Sequence, residues 1–438
     1  MTDQKLFRYS LLYLLAIIFV VVFTHVSIEA SDSNVDNENN ETENIEIGYD
    51  EGFDFESLAV MGTTWRLGMT YFNESLLAAQ LLNNSIDSLL ADPRAETLAE
   101  AKRAWSIART PYLRSEIYRY ISPRVASWEG RVNTWPIDAK LIDYVSMGTA
   151  YNQRKMANAN LISSKEILID GDIIEVVSLN QKVLDSLSKE DQFTGYEKNS
   201  FVGYHAIEFM LWGDSTYGGQ LSTDERPWTD FAINEKMCTG GYCERRRAYL
   251  KLISDRLVSD LEHMASLWKP GAEVTSFILS QDPHEFIEQL IRGTADFVQL
   301  EMAEKGANLA LSSHDPYKVY NVFSRQTHLS HFYNFEGLYA LFKGCYIPTP
   351  GIPLDVVKFN ERSIDGGTQV LDLYVDANAT KNAMENAMAS VENIRESGEQ
   401  GSYFDLLIEE GNPLGNKQVE FFVSQLLDFS STLKSINN

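Results

Sequence analysis

Apolar residues return with a helical period along most of this chain. Segments in which they recur every three or four positions predict helices at residues 55–91, 94–121, 171–189, 197–213, 244–268, 282–311, 378–396 and 416–435. Four of these helices precede residue 225 and four follow it, and residues 213–226 between them are rich in Gly, Ser and Thr. The pattern predicts an all-α fold of two tandem helical bundles, residues 55–225 and 226–438.

Two regions interrupt the helical period. Residues 122–150 hold Pro123 and Gly130 in an apolar and aromatic context, which is typical of an ordered, irregular loop. Residues 344–377 are also irregular, and the partial alternation at residues 370–375 favours one short strand or hairpin. Because long ordered loops usually carry function, the first region is a candidate wall of a site.

The N-terminal pattern predicts export. Lys5 and Arg8 precede an apolar run at residues 11–23, after which the chain turns small and polar. This layout identifies residues 1–30 as a secretory signal peptide or, if uncleaved, an N-terminal anchor. Residues 31–54 are mostly Asn, Asp and Glu and predict an acidic, disordered linker.

The charge of the chain excludes one class of partner. A formal charge of −25 and a pI near 4.7 argue against nucleic acid, whose binding requires clustered Lys and Arg. The acidity favours cations or simply solubility, and solvation alone explains the many charges at residues 31–56.

The cysteines agree with an oxidising compartment. Cys238 and Cys243 enclose a Thr-Gly-Gly-Tyr turn, so a disulfide between them is the natural interpretation in an exported protein. Cys345 remains outside that pair, and a packed thiol is the expected role for it.

The strongest chemical signal is an imidazole and a carboxylate three positions apart in an apolar stretch, at residues 203–213. On a helix, His205 and Glu208 share a face and can converge on one ligand or on each other. A buried carboxylate needs a cation, a proton or hydrogen-bond donors. Two ligands are too few for zinc or iron, and the His-Glu-x-x-His string of zinc peptidases is absent. The alternative is a hydrogen-bonded pair inside a packed bundle.

An upstream helix offers possible partners for this pair. Arg109, Tyr112 and Glu116 recur at i, i+3 and i+7, with Pro111 between them. Glu116 is a candidate third metal ligand or acid/base partner. Arg109 could instead form a bidentate salt bridge with Glu116 or Glu208.

Several ordered segments resemble one known family. The string Gly203-Tyr204-His205-Ala206-Ile207-Glu208 is similar to the GxHxxE motif of the imelysin-like proteins, bacterial envelope proteins tied to iron and classed with metallopeptidases. The other matching segments are residues 104–105, 108–112, 116–120, 128–138, 226–231 and 238–246. Together they span roughly residues 55–345, which makes the resemblance far more specific than the short motif alone.

The resemblance implies a duplicated pair of bundles with a polar site between them. Asn133, Trp135 and Asp138 would line one wall of that site, although a capped turn with Asp138 as N-cap is the alternative. Ser324 and Thr327 would approach from the second bundle.

Two histidines follow on the same stretch. His328 and His331 lie at i and i+3 and could face one ion if the segment is helical. We include His328 among the candidate ligand-binding residues.

The resemblance implies that the protein binds iron, or an iron-bearing small ligand, in the bacterial cell envelope. Iron is the expected metal and zinc a second option, and a membrane partner in iron uptake is conceivable. One alternative is a metal-dependent peptidase in which Glu208 or Glu116 activates a metal-bound water. Another is an adhesin or scaffold that needs no site.

Overall fold

The computed structural model describes a large part of the chain. The described residues are 55–137, 139–145, 160–169, 172–187, 201–214, 216–217, 220–221, 225–353 and 377–436. The predicted signal segment, the acidic linker, Asp138 and the strand predicted at residues 370–375 lie outside these ranges.

Helices account for most of the described residues up to position 225. They are α1 (Phe55–Ala91), α2 (Ala95–Ser115), α3 (Tyr118–Ile121), α4 (Pro123–Val132), α5 (Ala139–Ile142), α6 (Gln181–Leu187) and α7 (Gly203–Trp212). Pro111 lies inside α2, and the helix continues past it to Ser115.

Helices also dominate beyond position 225. Two 3₁₀ turns, Trp228–Phe231 and Glu235–Met237, are followed by α8 (Cys243–Ser266), α9 (Glu273–Leu279), α10 (Pro283–Asp296), a π-helix (Phe297–Asn308), α11 (Leu309–Ser313), a 3₁₀ turn (Pro316–Lys318), α12 (Thr327–Lys343), α13 (Ala377–Glu399), α14 (Phe404–Leu407) and α15 (Pro413–Ser435). α10 starts where Asp282 accepts hydrogen bonds from the next two free backbone N–H groups and Pro283 occupies the first helical position.

The prediction of one helix over residues 171–189 is wrong in its first part. Strand β2 (Asp172–Glu175) pairs with β1 (Glu166–Ile169) in an antiparallel hairpin, with Ile167 opposite Ile174. Adjacent β-branched residues favour a strand over a helix, and the helix begins only at Gln181. A second short hairpin pairs β3 (Thr216–Tyr217) with β4 (Gln220–Leu221).

Residues 122–150 are more regular than predicted, because α4 and α5 lie within them. Pro123 has no backbone N–H to lose and begins α4 at its N-terminal turn. Val125 and Val132 are the buried positions of that helix. Pro123 therefore marks the start of a helix, whereas the sequence pattern had predicted irregular structure at this position.

Helix α12 was not among the predicted helices, and its burial explains why. Its buried positions include polar residues such as His328 and Asn334 as well as Phe335 and Leu341. A helix packed on several sides lacks the single apolar stripe that periodicity detects.

The fold is all-α, as predicted, and α2 is central to the arrangement that matters here. It packs against α7 on one side and α12 on another, while α13 and α15 pack against each other. Residues 56–438 form one compact unit, so the division into two bundles near residue 225 stays a prediction. Among the described helices, none is both long and apolar enough to cross a membrane.

Cys238 and Cys243 are joined by a disulfide at the start of α8. The turn they enclose lies against a buried arginine, since Arg246 donates hydrogen bonds to main-chain carbonyls of that turn and to Asp143. The disulfide therefore fixes a loop that also covers a buried ion pair.

Candidate functional site

Helix α7 carries the histidine and carboxylate, and all of its residues are buried. It begins at Gly203, whose φ of +83° favours glycine. A Cβ at this position would also overlap the Val132 carbonyl at the end of α4. The glycine of the motif thus lets α7 start directly against the chain that leads into Asn133.

Glu208 accepts hydrogen bonds in every lone-pair direction that a carboxylate has. Its Oε1 accepts from the Ser324 backbone N–H at 2.9 Å and from the Ser324 hydroxyl at 2.7 Å. Its Oε2 accepts from Asn321 Nδ2 at 3.2 Å and pairs with His205 Nδ1 at 2.9 Å. Four donors fill the four acceptor positions, so the fully buried carboxylate is compensated by hydrogen bonds, to which the nearby positive charge of Arg109 adds.

His205 is held in one tautomer by this arrangement. Burial lowers the pKa of His205, and the nearby charges of Arg109 and Lys305 lower it further, whereas the hydrogen bond to Glu208 opposes the shift. The imidazole is therefore neutral at pH 7, and Nδ1 must carry its proton because a carboxylate only accepts. The lone pair is left on Nε2, which is buried without a hydrogen-bond partner among the described residues.

The loop that supplies the donors, residues 321–326, is itself fixed by α12. The Asn321 backbone N–H donates to the Thr327 hydroxyl at 3.1 Å, and the Ser330 hydroxyl contacts the Asn321 side-chain carbonyl. Both α12 residues are buried. The side-chain amide of Asn321 is thereby directed at Glu208.

The same loop holds a strained residue next to its serine. Arg325 has a φ of +59°, in the left-handed region that non-glycine residues seldom adopt. Its guanidinium pairs with buried Asp405 at 3.1 Å. This ion pair compensates the backbone strain and keeps Ser324 against the carboxylate.

On the other side of the site, Arg109 is linked to Glu116 through an amide. Arg109 Nη1 donates to Asn133 Oδ1, and Asn133 Nδ2 donates to Glu116 Oε1 at 3.0 Å. Glu116 Oε2 in turn accepts from Arg119 Nε at 3.0 Å. Arg109 and Glu116 are therefore linked through the Asn133 side chain and not by the direct salt bridge that the sequence suggested. Arg109 Nε is buried without a partner among the described residues.

The chain of charges continues into the π-helix. Arg119 Nη2 lies 3.0 Å from Glu301 Oε2, and Lys305 Nζ lies 3.1 Å from Glu301 Oε1. Burial raises the pKa of Glu129 beside them to about 7, with Arg119 opposing and Glu116 adding to the shift. Alternating charges therefore run from the buried site toward the half-exposed Lys305.

Trp135, a predicted wall residue, and Tyr112, a predicted ligand-binding residue, lie near this chain. Trp135 Nε1 donates to the Val319 carbonyl at 2.7 Å, and its ring lies 5.5 Å from Lys305 Nζ. Tyr112 is buried with its ring 5.4 Å from that of Tyr204. Both shape the surroundings of the site, while Asp138 lies outside the described residues.

The two histidines of α12 face away from α7. The His328 ring lies against Gly398 and 6.1 Å from the Tyr403 ring. Burial lowers its pKa to about 4. His331 is enclosed by aromatic rings at 4.9–5.2 Å, those of Tyr320, Phe404 and Phe422. No contact of either ring with His205 or Glu208 is recorded among the described residues.

The space beside the site is small. A cavity of about 10 Å³ lies between α2 and α12, which is room for one water molecule. Arg109, Asn321 and Ser330 line it, together with half-buried Tyr333 and Gln326 nearer the surface. The cavity marks where the polar site comes closest to solvent between these two helices.

The described side chains do not assemble a conventional metal centre. No group of three or more His, Cys, Asp or Glu residues within the described ranges is arranged to hold a metal ion. Glu116 is engaged by Asn133 and Arg119, and Glu208 by its four donors. Within the described part of the chain, the buried groups of this site without a hydrogen-bond partner include the His205 Nε2 lone pair and the Arg109 Nε–H.

Sequence reasoning missed Asn321, Glu129, Glu301 and Lys305. Asn321 precedes Ser324 by three positions, but nothing in the sequence indicates that a single asparagine in a turn will contact Glu208 in the folded chain. The three charged residues look like surface positions in the sequence, and only the packing of the π-helix against α3 and α4 brings them together.

The comparisons with known proteins agree with this fold. The family model described as Imelysin, of peptidase family M75, matches residues 69–432. The match covers well over half of the chain, so the protein belongs to the imelysin family. No curated protein sequence matches it.

One solved structure resembles the whole unit. It is a crystal structure of a protein assigned as an iron-regulated protein A precursor, from Parabacteroides distasonis ATCC 8503. The TM-score is 0.53 at 14% sequence identity, and the alignment covers 89% of this chain and 97% of the other. At this identity the likeness concerns the fold.

Proposed function

We propose that the protein is an exported iron-binding protein in which His205 Nε2 ligates iron. The observation that carries the proposal is the buried Nε2 lone pair, which has no partner while Nδ1 donates to Glu208. Histidines that ligate metals commonly donate their other ring N–H to a carboxylate, which fixes the tautomer and increases ligand basicity. Glu208 would then orient His205. From the sequence we had expected Glu208 to bind the metal itself.

The donor set favours an iron-bearing small ligand over a bare ion. Iron bound by protein alone needs several side-chain ligands, and the described residues offer no group of three. An iron chelate arrives with most of its coordination positions filled and needs one protein nitrogen. Its oxygen atoms would accept from the unused Nε–H of Arg109.

Binding would require the loop at residues 321–326 to move. His205 is 2% exposed and Glu208 0%, and the adjoining cavity holds only a water-sized group. The helices beside the loop are fixed, because Gly337 of α12 packs against the main chain of Arg114 in α2 so closely that a Cβ would overlap it. Movement of residues 321–326 would release the backbone strain at Arg325 and would break its ion pair with Asp405 and the hydrogen bonds from Asn321 and Ser324 to Glu208.

The cellular place follows from three independent features. The N-terminal pattern predicts export, the Cys238–Cys243 disulfide suits an oxidising compartment, and the protein with the similar fold is named a precursor. We propose the periplasm or the envelope membrane surface, where a membrane partner in iron uptake could receive the cargo.

The peptidase alternative has less support. A metallopeptidase needs a metal with an open position and a base beside it. While residues 321–326 are in place, Glu208 has no lone pair left for a water, and Glu116 is engaged by two donors. Zinc binding without hydrolysis stays a secondary option.

Calorimetric titration of the purified protein with Fe(II), Fe(III) citrate and Zn(II) tests the proposal. We expect His205→Ala to abolish measurable iron binding. Glu208→Gln should weaken it by about 10- to 100-fold, the usual effect of losing an orienting group. Because the pKa of His205 is lowered, binding should persist at mildly acidic pH.

Two exposed residues provide matched controls, His284→Ala and Glu262→Gln, which should bind like the native protein. Unchanged iron binding by a folded His205→Ala protein would refute the proposal. Equal losses in His205→Ala and Glu208→Gln would make Glu208 a direct ligand. Chelator-sensitive cleavage of unfolded protein that disappears in Glu208→Gln and survives in Glu262→Gln would establish the peptidase instead.

A further inference from the structure

A second polar cleft lies on a different part of the molecule. It has a volume of about 390 Å³ and sits between α4, α6 and α8. Its lining residues are Trp128, Arg131, Gln181, Asp185, Arg256, Ser259, Asp260 and His263. None of them belongs to the site around His205, and the volume lies within the range of small-molecule sites.

The floor of this cleft, which we call the Arg131–Arg256 cleft, is a buried carboxylate between two guanidinium groups. Arg131 donates from Nε and Nη2 to Asp260 Oδ1, both at 3.2 Å. Arg256 Nε donates to Asp260 Oδ2 at 2.9 Å, and its Nη1 donates to Gln181 and Asp185. Nη1 of Arg131 and Nη2 of Arg256 take part in none of these hydrogen bonds.

The aromatic wall adds a further unused nitrogen. The His263 ring stacks on Trp128 at a centroid distance of 4.0 Å, and Arg131 covers the ring of Trp128 at 4.8 Å. His263 Nε2 is buried without a partner among the described residues. Because the imidazole and a guanidinium both lie over the indole, Trp128 is already engaged and is not a free platform for a sugar ring.

We propose that the Arg131–Arg256 cleft binds a small organic acid through a carboxylate group. Arg131 and Arg256 both line an opening of ligand size, and their unused nitrogens can each donate to one oxygen of a ligand carboxylate. A neutral sugar would bring no charge to the two arginines. Inorganic phosphate, the other anion that arginine binds, is distinguished from a carboxylate by the titration below. This site is independent of iron binding at His205.

The buried carboxylate on the floor is suited to such a ligand. Burial raises the pKa of Asp260 to about 6, with Arg131 and His263 opposing the shift and Asp185 adding to it. Arg256 is the remaining charge that faces it. A ligand carboxylate on the unused nitrogens brings a second negative charge close to Asp260, which raises the pKa of Asp260 further and favours uptake of a proton. Binding near pH 6.5 should therefore be accompanied by proton uptake.

Isothermal titration with succinate, on metal-free full-length protein, tests this inference. We expect saturable binding to the native protein, with net proton uptake seen by comparing buffers of different ionisation enthalpy. Arg256→Gln should weaken binding at least about tenfold, and Lys251→Gln on the same helix, outside the cleft, should leave it unchanged. His205→Ala should also leave it unchanged, which separates this site from the iron site.

Since Arg256→Gln leaves Asp260 with less compensation, a second variant keeps the test independent of folding. Asp260→Asn removes the competing negative charge, so it should tighten succinate binding several-fold and abolish the proton uptake. Absence of succinate binding, equal binding of glucose, preferential binding of inorganic phosphate, or unchanged affinity in folded Arg256→Gln would each overturn the inference.

Discussion

His205 and His331 are both buried histidines on helices, yet their surroundings assign them opposite roles. His205 has a carboxylate on one ring nitrogen and an unused lone pair on the other. His331 is enclosed by three aromatic rings, and neither of its ring nitrogens has a side-chain partner among the described residues. Burial lowers the pKa of His331 to about 3. Burial alone therefore yields an inert ring, and the orienting carboxylate is what makes a buried histidine a candidate ligand.

The largest effect on stability is expected when the Glu208 carboxylate, which distinguishes the surroundings of His205 from those of His331, is removed. Glu208→Ala would leave the donors of His205, Asn321 and Ser324 buried and unsatisfied, which should destabilise the protein by about 3–5 kcal/mol. Urea unfolding followed by circular dichroism measures this free energy. A loss below about 1 kcal/mol would mean that the four hydrogen bonds around Glu208 contribute little.

A smaller effect is expected in acid, where His331 should cost stability. The pKa of His331 is about 3 in the folded protein, below the ordinary value of 6.5. As the pH falls, the unfolded chain therefore takes up a proton at this histidine before the folded protein does. The free energy of unfolding is unaffected by His331 above pH 6.5 and decreases between pH 6.5 and pH 3. At pH 4.5, which is two pH units below 6.5, we expect the free energy of unfolding to be lower by about 3 kcal/mol because of His331.

The measurement for this second prediction is the free energy of unfolding of the native protein and of His331→Leu between pH 7 and pH 4.5. The variant should lose less stability on acidification than the native protein. Parallel curves for the two proteins would show that the His331 ring accepts a proton without opening its aromatic shell.

The smallest effect is expected for His331→Leu at neutral pH. Leu is close in size to the neutral ring and suits the shell of Tyr320, Phe404 and Phe422, so stability should change by less than about 1.5 kcal/mol. Iron affinity in the same titration should remain native. A tenfold loss of iron binding would remove the distinction between the two histidines.

The sequence predicted which residues meet at the candidate site better than it predicted how they are oriented. The spacing of His205 and Glu208 placed both on one helical face, and the family resemblance directed attention to Ser324, which does contact Glu208. The burial of the pair followed from the apolar residues around it. These are local properties, which a single stretch of sequence contains.

The sequence could not predict which hydrogen-bond donors would point at Glu208. Asn321 and Ser324 occupy the lone pairs of Glu208 only because residues 321–326 fold back under α12, and that depends on tertiary contacts. His328 was expected at the site because it lies three positions before His331 and both could face one ion on a helix, but its ring lies against Gly398 and near Tyr403. The helical period fixes which residues are neighbours and not which side of a bundle they face.

The π-helix at Phe297–Asn308 has a consequence for how this protein can change over time. A π-turn differs from an α-turn by one additional residue in the hydrogen-bonded ring. A residue inserted into a regular α-helix turns everything after it by about 100°, whereas a π-turn takes up the additional residue and leaves the helix on either side in phase. Glu301 and Lys305 both lie within this segment, so a change in its winding would move them relative to Arg119 and Glu116 without any substitution in the site. Insertion or deletion of a residue here would thus change the electrostatics around His205 while the flanking helices keep their packing.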